Sequence, residues 1–203
     1  LNNYQSFSDQ VYGEVRSEFI HYLLTKISIS KDANFVDLGC GIGNVVCQMA
    51  AITNCNAHGI EIMETPYIYS VLLSNEFKAR LRANGLQYGN ITLKHGSFVG
   101  NSLVSSWMKS ADVIFVNNFV FSEATNESVK QLFLDCEDGT IVISLRNLSH
   151  IREGSGRSSK AARMRYTNNV ANIFECKQEF YPPNSVSWAS SSGKFYIHVI
   201  DRN

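Results

Sequence analysis

Two acids bracket a glycine-rich turn in this chain. Asp37 stands two residues before Gly39 in the run FVDLGCGIGNVV, residues 35–46, and Glu61 follows 24 residues after Asp37. Gly39, Gly41 and Gly43 alternate between an apolar run and a helix start. Glycine there allows positive φ and close backbone approach, and a helix N-terminus offers N–H groups to a ligand. A tight turn without a ligand would satisfy the glycines alone, because such patterns are common. The acids add chemistry. A dinucleotide fingerprint wants Gly or Ala where this chain has Asn44,. At a strand end, Asp37 would repel a pyrophosphate and attract the ammonium of an amino acid. Glu61, at the end of the next strand, is placed to accept hydrogen bonds from two ribose hydroxyls. One acid for an ammonium and one for a ribose describe S-adenosylmethionine better than NAD, with a dehydrogenase or nucleotide-binding module as the alternative. Asn44 either bonds that ligand or is simply a polar residue in a helix's first turn.

A second constellation lies in VIFVNNFVF, residues 113–121, where Asn117 and Asn118 interrupt an apolar run. The carboxyl end of a strand in an open α/β sheet is where a transferable methyl group is expected. An amine nucleophile must shed a proton and align with the methyl–sulfur bond, so an amide acceptor and a narrow aromatic tube suit the need. The alternative is an ordinary turn, which rarely sits inside so apolar a run.

These residues need elements to hold them. Phe19, Leu23, Leu24 and Ile27 recur at helical spacing in RSEFIHYLLTKI, predicting an amphipathic helix. NFVDLG reads as a strand, GNVVCQMAAIT as a helix and NAHGIEI as a strand; Thr65 and Pro66 are then expected to be the N-cap and first-turn pair of a long helix,. NITLKHG, SLVSSWMK, ADVIFVNNF, NESVKQLFLDC and GTIVIS continue the alternation of strand and helix. Apolar strands alternating with helices predict a doubly wound α/β fold, a parallel sheet covered on both faces. NVANIFECKQEF and GKFYIHVID read as two further strands at one edge, joined by a turn-rich stretch.

The 203 residues, 44% hydrophobic, suit one core,. No apolar run reaches the roughly 18 residues of a membrane-spanning helix, and the first residues lack a signal-peptide layout. A soluble chain is expected, and its start without Met suggests a piece of something longer. Cys40, Cys47, Cys55, Cys136 and Cys176 never approach CxxC spacing, so neither a metal site nor a disulfide framework is expected. A formal net charge of zero argues against a globally basic nucleic-acid binder,. Charge is uneven, however. Arg146, Arg152, Arg157, Lys160, Arg163 and Arg165 meet only Glu153, leaving +5 in the window 146–165 and −5 elsewhere. Within it, HIREGSGRSSKAAR has no hydrophobic period and is expected to be an exposed loop, either a solvated linker or a docking element.

LNNYQSFSDQVYGE, VDLGCGIGNVV, VIFVNNFVF and SVSW with FYIHVIDR, in this order from Leu1 to Arg202, together resemble the catalytic core of the non-SET histone-lysine methyltransferases, the disruptor-of-telomeric-silencing family. The resemblance implies a Rossmann-like class I S-adenosylmethionine-dependent methyltransferase fold. Its sheet is mostly parallel, flanked by helices, with an antiparallel C-terminal edge and a short N-terminal helical and loop extension. Residues 1–30 would form the N-terminal segment and cofactor-covering loop, and 31–203 a single methyltransferase domain. It also implies S-adenosylmethionine as cofactor, S-adenosylhomocysteine as product, and as substrate a lysine in the globular core of histone H3 within nucleosomes. A nuclear, monomeric protein without membrane attachment follows, with the basic window facing nucleosomal DNA or an acidic protein surface.

By that resemblance Tyr4, Tyr12, Glu14 and Val15 lie on the cofactor under the covering loop. Asp37, Gly39, Gly41, Gly43 and Asn44 match the methionine-end and loop positions, and Glu61 the ribose carboxylate. Ser97 and Phe98 fall at the adenine, and Asn117 beside the methyl group. Tyr12, Phe115, Val142, Ser144, Trp188, Phe195 and Tyr196 match or neighbour the lysine channel. Ser97 stands where the family has an aspartate, Asn44 where it has a glutamine, Ile62 where it has a lysine and Phe195 where it has a channel tyrosine; these changes bear on affinity. A lysine of ordinary pKa near 10.4 must lose its proton to attack. No His or carboxylate base stands at the asparagine pair, so desolvation in an aromatic channel is expected to lower that pKa. A small-molecule methyltransferase and a cofactor-binding module without activity are the rival readings.

Overall fold

The computed structural model describes residues 13–149 and 173–202. Among these, α1 spans Ser17–Leu23, β1 Asn34–Leu38, α2 Asn44–Thr53, β2 Asn56–Glu61 and α3 Glu64–Ala83. Then come β3 Ile91–His95, α4 Ser102–Lys109, β4 Val113–Val116, α5 Glu123–Leu132, a short 3-10 turn and β5 Ile141–Ser144. Two longer strands, β6 Phe174–Tyr181 and β7 Gly193–Ile200, close the order. One seven-stranded sheet runs β3-β2-β1-β4-β5-β7-β6. The first five strands pair in parallel, while β7 pairs antiparallel with both β5 and β6. The doubly wound reading and the antiparallel edge are both present.

Alternation along each strand divides the core between two faces. Phe35, Phe115 and Ile143 point to the face covered by α1 and α2, with Phe19, Ile20, Val46 and Met49. Val36, Ile114 and Val142 point to the face covered by α4 and α5, with Val104, Met108, Val129 and Phe133. Strands apolar on both sides are what a covered parallel sheet requires. β3 lies at an edge and is accordingly half exposed.

Helix starts show where local chemistry differs from expectation. α3 begins at Glu64 with Met63 as its N-cap, so Thr65 and Pro66 fall inside the first turn instead of flanking it. The Met63 N–H donates to Glu61 Oε1 at 2.7 Å, which fixes the helix entry from the end of β2, and no side chain caps the first-turn N–H groups,. Pro66 is tolerated because first-turn N–H groups have no partner within the helix. α3 also turns serines inward: Ser70 and Ser74 are buried while Ile68, Val71 and Leu72 are exposed. Small inward residues let it approach the glycine turn; a Cβ on Gly43 would lie 3.3 Å from the Ser70 Cβ. α1 stops at Leu23, yet Ile27 remains buried at the spacing the sequence suggests.

Candidate active site at the carboxyl ends of the parallel strands

A cavity of about 540 Å³ opens at the carboxyl ends of β1, β2 and β4, within the size range of small-molecule sites. Its floor is the glycine turn, with Gly39, Gly41 and Gly43 at φ of 85°, 55° and 73°. These left-handed angles are available to glycine at no steric cost. Four of the N–H groups of residues 39–43 are occupied. Gly39 and Cys40 donate to the Ile60 carbonyl, and Gly43 to the Cys40 carbonyl. Gly41 donates to Glu61 Oε2 at 2.8 Å. The turn is therefore braced against β2 instead of presenting a row of donors to a phosphate.

Asp37 and Glu61 form an acidic pole in the cavity wall. Glu61 is held rigidly, each oxygen accepting one backbone N–H, from Gly41 and from Met63. Asp37 is 2% exposed, and no donor among the described residues reaches its carboxyl. Burial, reinforced by the neighbouring Glu61 carboxylate, pushes the Asp37 carboxyl well above the usual carboxylate range. Burial and the same two acids push the Cys40 thiol up. A buried acid without a donor fits a cationic ligand group and would repel a pyrophosphate.

The opposite pole is apolar and aromatic. Phe98 and Phe121 face each other with ring centroids 6.0 Å apart, and Ile62, Pro66 and Val99 also line this end. Ser97 lines it too; its hydroxyl accepts the Val99 N–H at 3.0 Å. His95 Nε2, 3.1 Å from the Ile62 carbonyl, and the Gly96 N–H on the Glu61 carbonyl fix the strand end between the poles. Aromatic side chains for a flat base at one end and acids for an amino-acid end at the other make S-adenosylmethionine a fitting occupant.

Two asparagines tie the N-terminal segment across this cavity. Asn44 Nδ2 donates to the Val15 carbonyl at 2.8 Å and Asn117 Nδ2 to the Gly13 carbonyl at 3.3 Å. Asn44 is thus both a first-turn residue and a clasp. Asn117 Oδ1 is left buried without a hydrogen-bond partner among the described residues, an acceptor on a cavity-lining side chain. Beyond the clasp, Val15 bridges Val186 antiparallel, Glu14 and Ser187 exchange two bonds of 2.8 Å, and Arg16 N–H reaches the Ser185 carbonyl. SVSW is the stretch against which residues 14–16 are pinned.

Among residues named from the sequence, Glu14, Val15, Asp37, Gly39, Gly41, Asn44, Glu61, Ser97, Phe98, Phe115, Asn117 and Trp188 line the cavity together. Gly43 sits behind it as the N-cap of α2. Phe195 is fully buried in the core cluster that also holds Phe115, its ring centroid 5.1 Å from that of Phe19 and 6.2 Å from that of Tyr22. Tyr196 lies on the other face of β7, paired in register with Ser144. Neither lines the cavity, nor do Val142 and Ser144. Tyr4 and Tyr12 lie outside the described residues, as do Arg152, Glu153, Arg157, Lys160, Arg163 and Arg165 of the basic window. Arg146 is described, and it is engaged at the site: Nη1 donates to the Phe121 carbonyl at 3.2 Å and the guanidinium lies 5.9 Å from the Phe119 ring.

Several lining residues were not singled out from the sequence. Phe119 stacks on Trp188 at 5.4 Å and 27°, and Gly13 lies so close that a Cβ there would be 2.7 Å from the Trp188 ring. Phe119 and Phe121 sit within VIFVNNFVF, so the apolar run held that signal; the Gly13 contact joins chain ends and leaves no local trace. The five cysteines are free, with burial pushing Cys47 up to about 11 and Cys136 up to about 12. No group of His, Cys, Asp or Glu among the described residues could hold a metal, and no helix among them is long and apolar enough to cross a membrane.

Solved structures share this architecture. An RNA methyltransferase from Salinibacter ruber in complex with S-adenosylhomocysteine superposes with a TM-score of 0.59 at 14% identity, covering 94% of this chain and 95% of its own. A Geobacter sulfurreducens S-adenosylmethionine-dependent methyltransferase gives 0.58 at 12%, covering 95% and 94%. The fold is that of the class I methyltransferases. In sequence, the chain is 32% identical over 201 residues to an Emericella nidulans protein named histone-lysine N-methyltransferase, H3 lysine-79 specific. Proteins of the same name from Gibberella zeae and Drosophila melanogaster are 34% and 31% identical. The chain aligns over 99%, 97% and 100% of its length with these three, and spans 39%, 38% and 11% of theirs. The family model for histone methylation protein DOT1 matches residues 1–200, and the chain belongs to that family.

Proposed function

We propose that this chain is the catalytic core of an S-adenosylmethionine-dependent histone-lysine methyltransferase. Its substrate would be a lysine in the globular core of histone H3 within nucleosomes, the lysine-79 of its relatives' names. The observation that carries the reading is one cavity with a buried acid, Asp37, at one pole and the acceptor of Asn117 beside the Phe119 and Trp188 rings, both without a hydrogen-bond donor among the described residues. S-adenosylmethionine, when bound, supplies an electrophilic methyl group on a sulfonium. Asp37 would hold the ammonium of its amino-acid end and Glu61 its ribose hydroxyls. Ser97 and Phe98 would meet the base.

Asn117 orients by acceptance: one Nδ2 N–H is held by the Gly13 carbonyl, which turns Oδ1, without a partner among the described residues, to an incoming N–H. Phe115, Phe119 and Trp188 keep water from the amine, which favours its neutral, nucleophilic form. With no charged base bonded to Asn117 among the described residues, the enzyme would act mainly by positioning and desolvation. The remaining assignments belong to the same reading. They are Tyr4, Tyr12, Glu14 and Val15 over the cofactor, Phe195 and Tyr196 as channel neighbours, and a nuclear monomer acting on nucleosomes, with the basic window 146–165 facing DNA or an acidic protein surface. Replacing Asn117 with Ala tests it. Methyl transfer to nucleosomal H3 should be lost while the circular dichroism spectrum and the thermal transition stay close to wild type, and full activity would overturn the assignment.

A further inference from the structure

Asn118 is fully buried and does not line the cavity, yet it holds the loop that does. Its Oδ1 accepts the N–H groups of Leu145 at 3.0 Å and Arg146 at 2.8 Å. Its Nδ2 donates to Asn126 Oδ1 at 2.9 Å and to the Arg146 carbonyl at 3.3 Å. One amide thus joins the end of β4, the end of β5 and the first turns of α5. Asn126 carries the tie onward, donating to the carbonyls of Phe121 and Ser122. The Arg146 carbonyl also accepts from Ser144 Oγ at 2.7 Å, and that hydroxyl is 2.9 Å from Nε2 of the fully buried His198. The clamp reaches the cavity through Arg146, whose Nη1 bonds the Phe121 carbonyl and whose guanidinium backs Phe119 against Trp188.

Resting on the methyltransferase reading above, we infer that Asn118 is a positioning residue. It sets the loop 117–121 so that the Asn117 acceptor and the Phe119–Trp188 stack meet the incoming amine, and its own amide does not line the cavity that would hold the cofactor. Its amide suits the task because a single planar group supplies two donors and an acceptor with two lone pairs. Asp would keep the two accepted N–H bonds and lose both donors; Ala would lose all four. The acidic pole, carried by β1 and β2, is braced independently through Gly41 and Met63.

The test separates positioning from cofactor binding. Wild type, Asn118→Ala and Asn118→Asp are compared for S-adenosylhomocysteine affinity by calorimetry and for kcat on nucleosomes, with thermal transitions recorded. Misplacement of about 1 Å costs on the order of a hundredfold in rate, so kcat is expected to fall about 10- to 100-fold in the Ala variant, with affinity within about threefold of wild type. The Asp variant should recover part of kcat. An Ala variant with kcat within about twofold of wild type overturns the inference, as does a parallel loss of affinity and rate that Asp does not relieve. If the Ala variant fails to fold, Asn126→Ala removes one arm of the same clamp and must lower kcat in the same selective way. Wild-type protein that binds S-adenosylhomocysteine but methylates no nucleosome would instead overturn the functional reading, and this inference with it.

Discussion

Asp37 and Glu61 stand side by side in one cavity with different solvation. Glu61 is satisfied by two backbone N–H groups, whereas Asp37 has burial and a neighbouring negative charge to contend with. An acid whose pKa is raised in the fold holds a proton that the unfolded chain releases, so its contribution to stability is lost as pH rises from its ordinary 3.8 through the raised value,. A bound ammonium favours the charged carboxylate and displaces that proton. Affinity for S-adenosylhomocysteine is therefore expected to increase with pH across this window and then level off. Asp37→Asn should weaken binding about tenfold or more, the scale of a lost charged hydrogen bond, and should flatten the pH dependence of titrations run upward from pH 3.8. An unchanged slope in the variant would contradict the assignment. Asp37 and Glu61 were legible in the sequence because acids at strand ends flanking glycines are local signals. The occupation of the turn's N–H groups was not, since it depends on how β2 packs beside the turn.

At the scale of elements, the order of strands and helices was readable because apolar runs and helical spacings are local. The start of α3 was misplaced by two residues because the chain turns into the helix at Met63, whose N–H is held by Glu61, a strand residue. The Val15–Val186 bridge was illegible for a related reason: its two halves are 171 positions apart in the chain. Backbone contact between elements is equally silent. Gly89 bonds the Ala50 carbonyl, and a Cβ there would lie 1.8 Å from the Cys55 backbone oxygen. Gly85, a few residues earlier, has φ of 67° but open space around it. Gly85→Ala is expected to cost roughly 1–2 kcal/mol, the strain of a left-handed residue. Gly89→Ala should cost about 3 kcal/mol or more, because backbone must move to admit the methyl group. Urea unfolding of both variants checks the ordering, and equal losses would show that the α2–β3 approach is looser than described.

The whole molecule is a sheet sealed on both faces, and that seal includes a neutral histidine. Burial lowers the His198 pKa to about 3. A histidine with a depressed pKa stays unprotonated in the fold while the unfolded chain takes up a proton below about 6.5, so stability falls as pH drops between 6.5 and 3,. The slope contributed by this one group approaches about 1.4 kcal/mol per pH unit. Thermal transitions recorded from pH 7 to pH 5 should decline in wild type and decline less in His198→Gln, which keeps an amide donor for Ser144; identical slopes would contradict the burial argument. Scale also limits what the chain discloses. The proposal of a folded nucleosome substrate rests on the resemblance carried by VYGE, VNNFVF and SVSW, since neither charge nor periodicity encodes a partner's surface. The most direct measurement is methyl transfer from labelled S-adenosylmethionine, read by mass spectrometry on intact nucleosomes, free histones and a metabolite extract in parallel. Methylation of nucleosomal H3 at lysine-79, with free histones and metabolites unlabelled, is the predicted result. Label on metabolites alone, or binding with no transfer to nucleosomes, would contradict it.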